Sequence, residues 1–251
     1  MAKCYVISHR GSNRVAPQNT LPAFRQSILY GADGFETDVH LTADGIPVIC
    51  HNYEVDKTSD GKGEITSMLL DDLKRLDFGS SFHHSYKGTK IPTLEEFLTL
   101  CEKANLSILN IEIKPPKNHD YSVVAKTLEA VKAHGLYDKL IISSFDSDAL
   151  VYAKDVDETC RTGYLYCPNK LYAVKYFKHA VEAAKSMGAD AIHPHKYYIT
   201  KEYVEKAHEA GLMVNPWTIN TEKEIRHCLD CGVDSVITDV PKLAKQIIEE
   251  Y

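Results

Sequence analysis

Residues 34–41 read GFETDVHL, a strand-like run that carries two acids, Glu36 and Asp38, two positions apart. Acids are poor strand formers. Side chains alternate along a strand, so these two point the same way, with Cα atoms roughly 7 Å apart. The run SILNIEIK (107–114) repeats the device with Glu112 and Lys114. Three carboxylates from neighbouring strands cannot all stay ionised at close range. Either one keeps a proton or a cation joins them. An all-oxygen donor set suits a hard divalent ion, Mg²⁺ or Ca²⁺, better than zinc. The competing reading pairs Glu36 and Asp38 with Arg10 and Lys114 as plain salt bridges, which is a costly use of buried charge.

Two histidines end apolar runs nearby: His9 after CYVIS, and His51 after PVIC. Paired imidazoles suit proton transfer near pH 7, one accepting as the other donates. Arg10 and Lys114 add positive charge. A cation, two basic side chains and two histidines together match the needs of a phosphoryl group whose oxygens redistribute negative charge during transfer. Trp217, the single tryptophan, ends a later strand and offers a face for a choline-type cation, with core packing as its other reading. Phe145, Tyr164, Tyr166 and Tyr197 are secondary candidates for the same rim. His193 and His195 read as structural or rim residues.

The elements that must position these residues alternate along the chain. Strands are expected at 4–9, 34–41, 107–113, 140–145, 162–167, 190–194, 213–219 and 235–239. Amphipathic helices are expected at 20–31, 93–104, 121–134, 146–155, 171–187, 200–210, 221–230 and 241–250. Eight strands, each followed by a helix, in about 250 residues predict an α/β fold, the (β/α)8 TIM barrel. In such a barrel the C-terminal strand ends form one face, and there the polar residues named above collect. An open doubly wound sheet is the runner-up, but no glycine-rich phosphate loop follows the first strand. The segment 52–91 breaks the rhythm and reads as a small inserted subdomain after the second strand, with a short helix near 66–76. The whole chain, 1–251, is expected to be one catalytic domain.

The formal net charge of −6 gives no basic field for nucleic acid, and no polybasic stretch addresses an anionic membrane. No apolar run reaches the roughly 20 residues of a membrane helix. The opening MAKCYVISHRG lacks the long apolar core of a secretory signal, so a cytoplasmic protein is expected. The odd count of seven cysteines suits a reducing compartment. The pair Cys228 and Cys231 reads as two helix-face thiols, since no second ligand pair accompanies it.

Taken in order, HRG (9–11), PQNT (17–20), ETD (36–38), HN (51–52), EIKP (112–115), WTIN (217–220) and TDVP (238–241) resemble the glycerophosphodiester phosphodiesterases over nearly the whole chain. The resemblance implies a phospholipase-C-like barrel with an extra subdomain after the second strand. It implies one divalent cation on Glu36, Asp38 and Glu112, with His9 and His51 as the acid–base pair. The substrate would be a small glycerophosphodiester such as glycerophosphocholine or glycerophosphoethanolamine, cut to sn-glycerol 3-phosphate and an alcohol. Two positions depart from the family pattern: Gln18 stands where glutamate is usual, and Asn52 where aspartate is usual. Altered affinity or pH dependence is expected from them. Two other classes stay open: a metal-dependent isomerase or lyase on the same barrel, and a non-catalytic phosphodiester-binding protein.

Overall fold

The computed structural model describes residues 3–115, 117, 120–167 and 173–251, the side chains of 173–178 aside. Eight parallel strands form its centre: β1 (Tyr5–His9), β2 (Gly34–Leu41), β4 (Ile108–Ile113), β5 (Leu140–Ser144), β6 (Thr162–Tyr166), β7 (Ala191–Pro194), β8 (Met213–Val214) and β9 (Ser235–Thr238). Their order is β8-β7-β6-β5-β4-β2-β1-β9. The two ends of that row meet. The Asp234 N–H donates to the Val214 carbonyl at 3.1 Å and the Ile237 N–H to the Pro216 carbonyl at 3.0 Å. The sheet thus closes nearly into the barrel that the strand–helix alternation predicts.

Around it lie α1 (Leu21–Leu29), α3 (Leu94–Glu102), α4 (Ser122–Ala133), α5 (Ser147–Val156), α6 (Ala173–Ser186), α7 (Lys201–Glu209), α8 (Glu222–Cys231) and α9 (Pro241–Glu250). The start of the helix expected at 171–187 falls partly outside the described residues. Local chemistry fixes several starts. Thr93 with Glu96, and Thr221 with Glu224, form capping boxes that satisfy the first free N–H groups of α3 and α8.

Alternation along β2 sorts side chains as expected. Phe35 packs outward against Phe24 of α1 and Phe97 of α3, with ring centroids 5.4 and 6.1 Å away. Val39 and Leu41 join the same cluster. The inward face is apolar only low in the barrel, where Ile7, Ile108, Ile141 and Ile237 fill the interior. Gly34 lets β4 come close: a Cβ there would meet the Ile108 carbonyl oxygen at 2.4 Å. The acids therefore sit over a packed interior in which these isoleucines are joined by the buried His193, Asn215 and Ser235.

Two features differ from expectation. A short strand, β3 (Pro47–Ile49), runs antiparallel to β2 and carries the chain to His51. The segment after it folds over a small core of its own, Val48, Cys50, Val55, Ile65, Leu73, Phe78 and Ile91. Its helix α2 (Leu70–Arg75) is shorter than the 66–76 expected. The seventh barrel strand keeps regular pairing for only two residues, Met213 and Val214. Pro216 cannot donate a ladder hydrogen bond, and from there the chain turns irregularly to bring Trp217 to the mouth. Among the described residues, no helix is long and apolar enough to cross a membrane. Cys228 and Cys231 are buried on α8, as expected of helix-face thiols.

Candidate active site

β2 and β4 run side by side with Glu36 opposite Asn110 and Asp38 opposite Glu112. That register brings Glu36, Asp38 and Glu112 together on the inner face, each buried and offering one oxygen within 4.8 Å of the others. Asp38 takes most of the positive charge. Lys114 Nζ lies 3.1 Å from its Oδ1, Arg10 Nε lies 3.4 Å from its Oδ2, and the Asn19 amide donates to Oδ2 at 2.8 Å. Burial alone would raise the Asp38 pKa, but Lys114 and Arg10 hold it well below the usual carboxylate range. Glu36 and Glu112 go the other way. Burial and the Asp38 charge push Glu36 well up and Glu112 to about 7. Lys114 also pairs with Glu112. Glu36 accepts the Arg10 backbone N–H at 3.2 Å, and His9 Nε2 lies 3.9 Å from its Oε2. Salt bridges thus account for Asp38 and Glu112 and leave Glu36 short of positive charge. An oxygen-only cluster in which two members resist ionisation fits a hard divalent cation.

His9 ends β1, and β1 pairs with β9, so barrel closure sets Asp239 beside it. His9 Nδ1 lies 2.6 Å from Asp239 Oδ1. A carboxylate accepts only, so the proton sits on Nδ1 and the lone pair on Nε2 points into the site. Asp239 also accepts from Asn13 and Asn220 at 2.7 Å each and from Arg14 at 3.1 Å. Burial would raise its pKa, but His9 and the amide donors hold it well below the usual range. Burial lowers the His9 pKa, with Arg10 adding to the effect and Asp239 opposing it. His51 is half-buried on the loop after β3. Burial, reinforced by Arg10 and Lys114 against the pull of Asp38, lowers its pKa to about 4. Both imidazoles are neutral at pH 7 by these effects, and only His9 has a carboxylate behind it.

The β1–α1 loop needs unusual backbone. Arg10 and Asn19 take φ of 56° and 55°, in the left-handed region that costs a side chain energy. Between them Gly11 packs so closely on α1 that a Cβ would come within 2.7 Å of the Ala23 backbone. The return on this strain is placement: Arg10 Nη1 donates to Gln18 Oε1 at 2.9 Å, and Asn19 is held by the Thr37 hydroxyl at 2.9 Å while it reaches Asp38.

These groups ring a cavity of about 230 Å³ lined by His9, Arg10, Glu36, His51, Glu112 and Trp217, with Asn110, Phe145, Leu165 and Ile237 completing it. Trp217 is tied down by its indole N–H to the His193 carbonyl at 2.7 Å, and its ring meets Phe145 and His195 edge-on. A second cavity, about 350 Å³, opens beside the first across Glu112 and Phe145, with Tyr53, Lys114 and Asp146 in its walls. His193 lies in the barrel interior with its Nε2 beside the Asn215 amide, and Tyr164 packs on the core, so neither lines the site.

A model of the "Glycerophosphoryl diester phosphodiesterase family" matches residues 9–243. The chain belongs to the glycerophosphoryl diester phosphodiesterase family. A glycerophosphodiester phosphodiesterase of Caldanaerobacter subterraneus is 33% identical over 99% of both chains. Among solved structures, an Oleispira antarctica phosphodiesterase in complex with the product sn-glycerol-3-phosphate superimposes with a TM-score of 0.88 at 32% identity, covering 98% of this chain and 96% of that one. A glycerophosphoryl diester phosphodiesterase of Silicibacter pomeroyi gives the same TM-score at 27% identity, covering 99% and 94%.

Within this family fold, the seven residues singled out in the sequence for metal, proton and phosphate work converge on one mouth, and Trp217 lines the same cavity. Sequence reasoning missed the parts that hold them. Asp239 was visible as an acid at a strand end, but its service to His9 depends on barrel closure. Asn19 lay inside the PQNT motif, next to the Gln18 that drew attention. Asn110 gave no signal beyond its place two residues before Glu112.

Proposed function

We propose that the protein hydrolyses glycerophosphodiesters to sn-glycerol 3-phosphate and an alcohol, with one divalent cation on Glu36, Asp38 and Glu112 and with His9 and His51 as the acid–base pair. The observation that carries this reading is the shared cavity: both histidines, Arg10 and two of the three acids line the same 230 Å³. The bound cation, Mg²⁺ or Ca²⁺, would supply Lewis-acid polarisation of the phosphate.

The chain's own residues do the rest. Arg10 Nη1, steadied by Gln18, and the Lys114 ammonium offset charge on the non-bridging phosphate oxygens. His9 Nε2 takes the proton of the glycerol hydroxyl nearest phosphorus as it attacks, and Asp239 stabilises the imidazolium that results. The cyclic phosphate left when the alcohol departs is opened by water with the histidine roles reversed, which gives sn-glycerol 3-phosphate. His51, on the opposite rim, gives a proton to the leaving alcohol oxygen from its protonated form, the minor one at pH 7. Trp217 and Phe145 exclude water from one side of the phosphate. The whole chain acts as one domain, with the 52–91 insertion supporting the loop that carries His51. Seven free cysteines, six of them buried, favour a reducing cytoplasm. The small-molecule substrate leaves no role for nucleic acid or a membrane. Binding without turnover finds little support, since Gln18 still holds Arg10 at hydrogen-bond distance.

The test is release of glycerol 3-phosphate from glycerophosphocholine by purified protein, with Mg²⁺, with Ca²⁺, with EDTA, and by His9→Ala. Turnover that EDTA and the substitution each abolish is the expected result. Turnover indifferent to EDTA removes the cation, and an inert protein with either ion removes the substrate class.

A further inference from the structure

Asn110 sits at the centre of β4, in register with Glu36 on one side and Ile141 on the other. It is 1% exposed, and among the described residues neither its Oδ1 nor its Nδ2 has a hydrogen-bond partner. Buried amides left unpaired at both ends are rare in folded interiors. This one lines the 230 Å³ cavity level with Glu36 and one strand step below Asp38 and Glu112, with Leu165 and Ile237 in the same lining. The isoleucines packed in the barrel interior, Ile7, Ile108, Ile141 and Ile237, offer it nothing polar.

An amide presents a donor and an acceptor a short distance apart. Of the small polar groups a ligand can bring, a carboxylate or phosphate only accepts and an ammonium only donates. A hydroxyl does both, so one hydroxyl, or two on adjacent carbons, can donate to the Asn110 Oδ1 and accept from its Nδ2. Position narrows this further. Asn110 lies two residues before Glu112 on the same face, roughly 7 Å deeper along the strand. A hydroxyl on the carbon next to the phosphate ester would stay near the level of Asp38 and Glu112. A hydroxyl at the far end of a three-carbon chain reaches down to Asn110, with its carbons against Leu165 and Ile237. The other ester arm is then left to the mouth, where the 350 Å³ cavity beyond Phe145 has room for it.

We infer that Asn110 is a specificity-determining residue that binds the terminal hydroxyl of the glycerol arm, and so selects unacylated glycerol diesters over those lacking that hydroxyl. The inference rests on the phosphodiesterase reading given above. Its test compares kcat/KM for glycerophosphocholine with that for the phosphocholine diester of propane-1,2-diol, which keeps the hydroxyl near phosphorus and lacks the terminal one. The wild type is expected to prefer glycerophosphocholine about 30-fold, because the deoxy substrate leaves a buried amide unpaired. In Asn110→Leu the preference collapses to within about threefold, with the loss borne by glycerophosphocholine. Asn110→Ser, which keeps a donor and an acceptor, covers the case in which leucine does not fold, and should retain an intermediate preference. A wild-type ratio near one, or a ratio unchanged in either variant, overturns the role of Asn110 while leaving the phosphodiesterase intact. A wild type that turns over neither diester overturns both.

Discussion

On the β9 flank of the site, Asp239 meets four donors: His9, Asn13, Asn220 and Arg14. On the β2–β4 flank, three acids share two cations, and Asp38 takes the larger part of both. The first acid is held ionised and the pKa of the imidazole beside it is set by the protein alone. Of the other three, Glu36 and Glu112 resist ionisation because burial and the Asp38 charge outweigh what the shared Arg10 and Lys114 return to them. A matched network fixes an orientation. A mismatched one stores a demand for charge that a ligand must meet. The same few strands thus carry a finished part and an unfinished part.

The comparison breaks hardest at Glu112. Glu112→Gln should lower kcat/KM on the order of 10³-fold, by weakening the hold on the cation. In the metal-free protein it should raise thermal stability above pH 7, because a neutral amide replaces an acid that ionises at a cost. A variant less stable than wild type under those conditions would place Glu112 among the matched groups. Asp239→Asn should lower kcat on the order of 10²-fold with a smaller change in KM, since the amide no longer fixes the His9 tautomer or stabilises its cation. Unlike Glu112→Gln, it should destabilise the protein with or without metal, by about 1–3 kcal/mol, which chemical denaturation would read.

The pH dependence of stability sharpens the contrast. Folded, metal-free protein keeps the Glu112 proton up to about pH 7, whereas the unfolded chain releases it near 4.5. The folded state binds more protons between those values, so stability falls as pH rises through that window, by up to about 3 kcal/mol. For a chain this size that is a melting-temperature drop of roughly 6–12 °C. Saturating divalent cation should abolish the drop, and a flat profile without metal would show the acids already balanced. The smallest effect is expected at Gln18→Glu. A carboxylate there would draw Arg10 away from phosphate and raise KM about threefold with kcat nearly unchanged. A fall in kcat of tenfold or more would mean that Gln18 supports the chemical step.

How far the molecule could be read in its sequence follows the same division. The acids on β2 and β4 stood out because strand periodicity is local: two residues apart means one face, whatever the rest of the chain does. The barrel followed from the alternation of strands and helices. β3 was missed because three residues carry no periodicity, and the irregular turn after Val214 because Pro216 overrides an apolar pattern that reads as strand. The Asp239 network was out of reach for a different reason. Its members, Asn13, Asn220 and His9, are brought together by closure of the sheet, and no local rule relates them. Asn110 was silent because an asparagine in a strand is informative only once its surroundings are known to be dry.

The bond between His9 and Asp239 spans 230 residues. During synthesis the ribosome therefore makes His9 long before the carboxylate that orients it. A nascent chain stopped between β4 and β9 already contains all three acids of the cluster, but His9 has neither its tautomer nor its place fixed. Only once β9 has been made and the sheet has closed can the Asp239 carboxylate fix that imidazole.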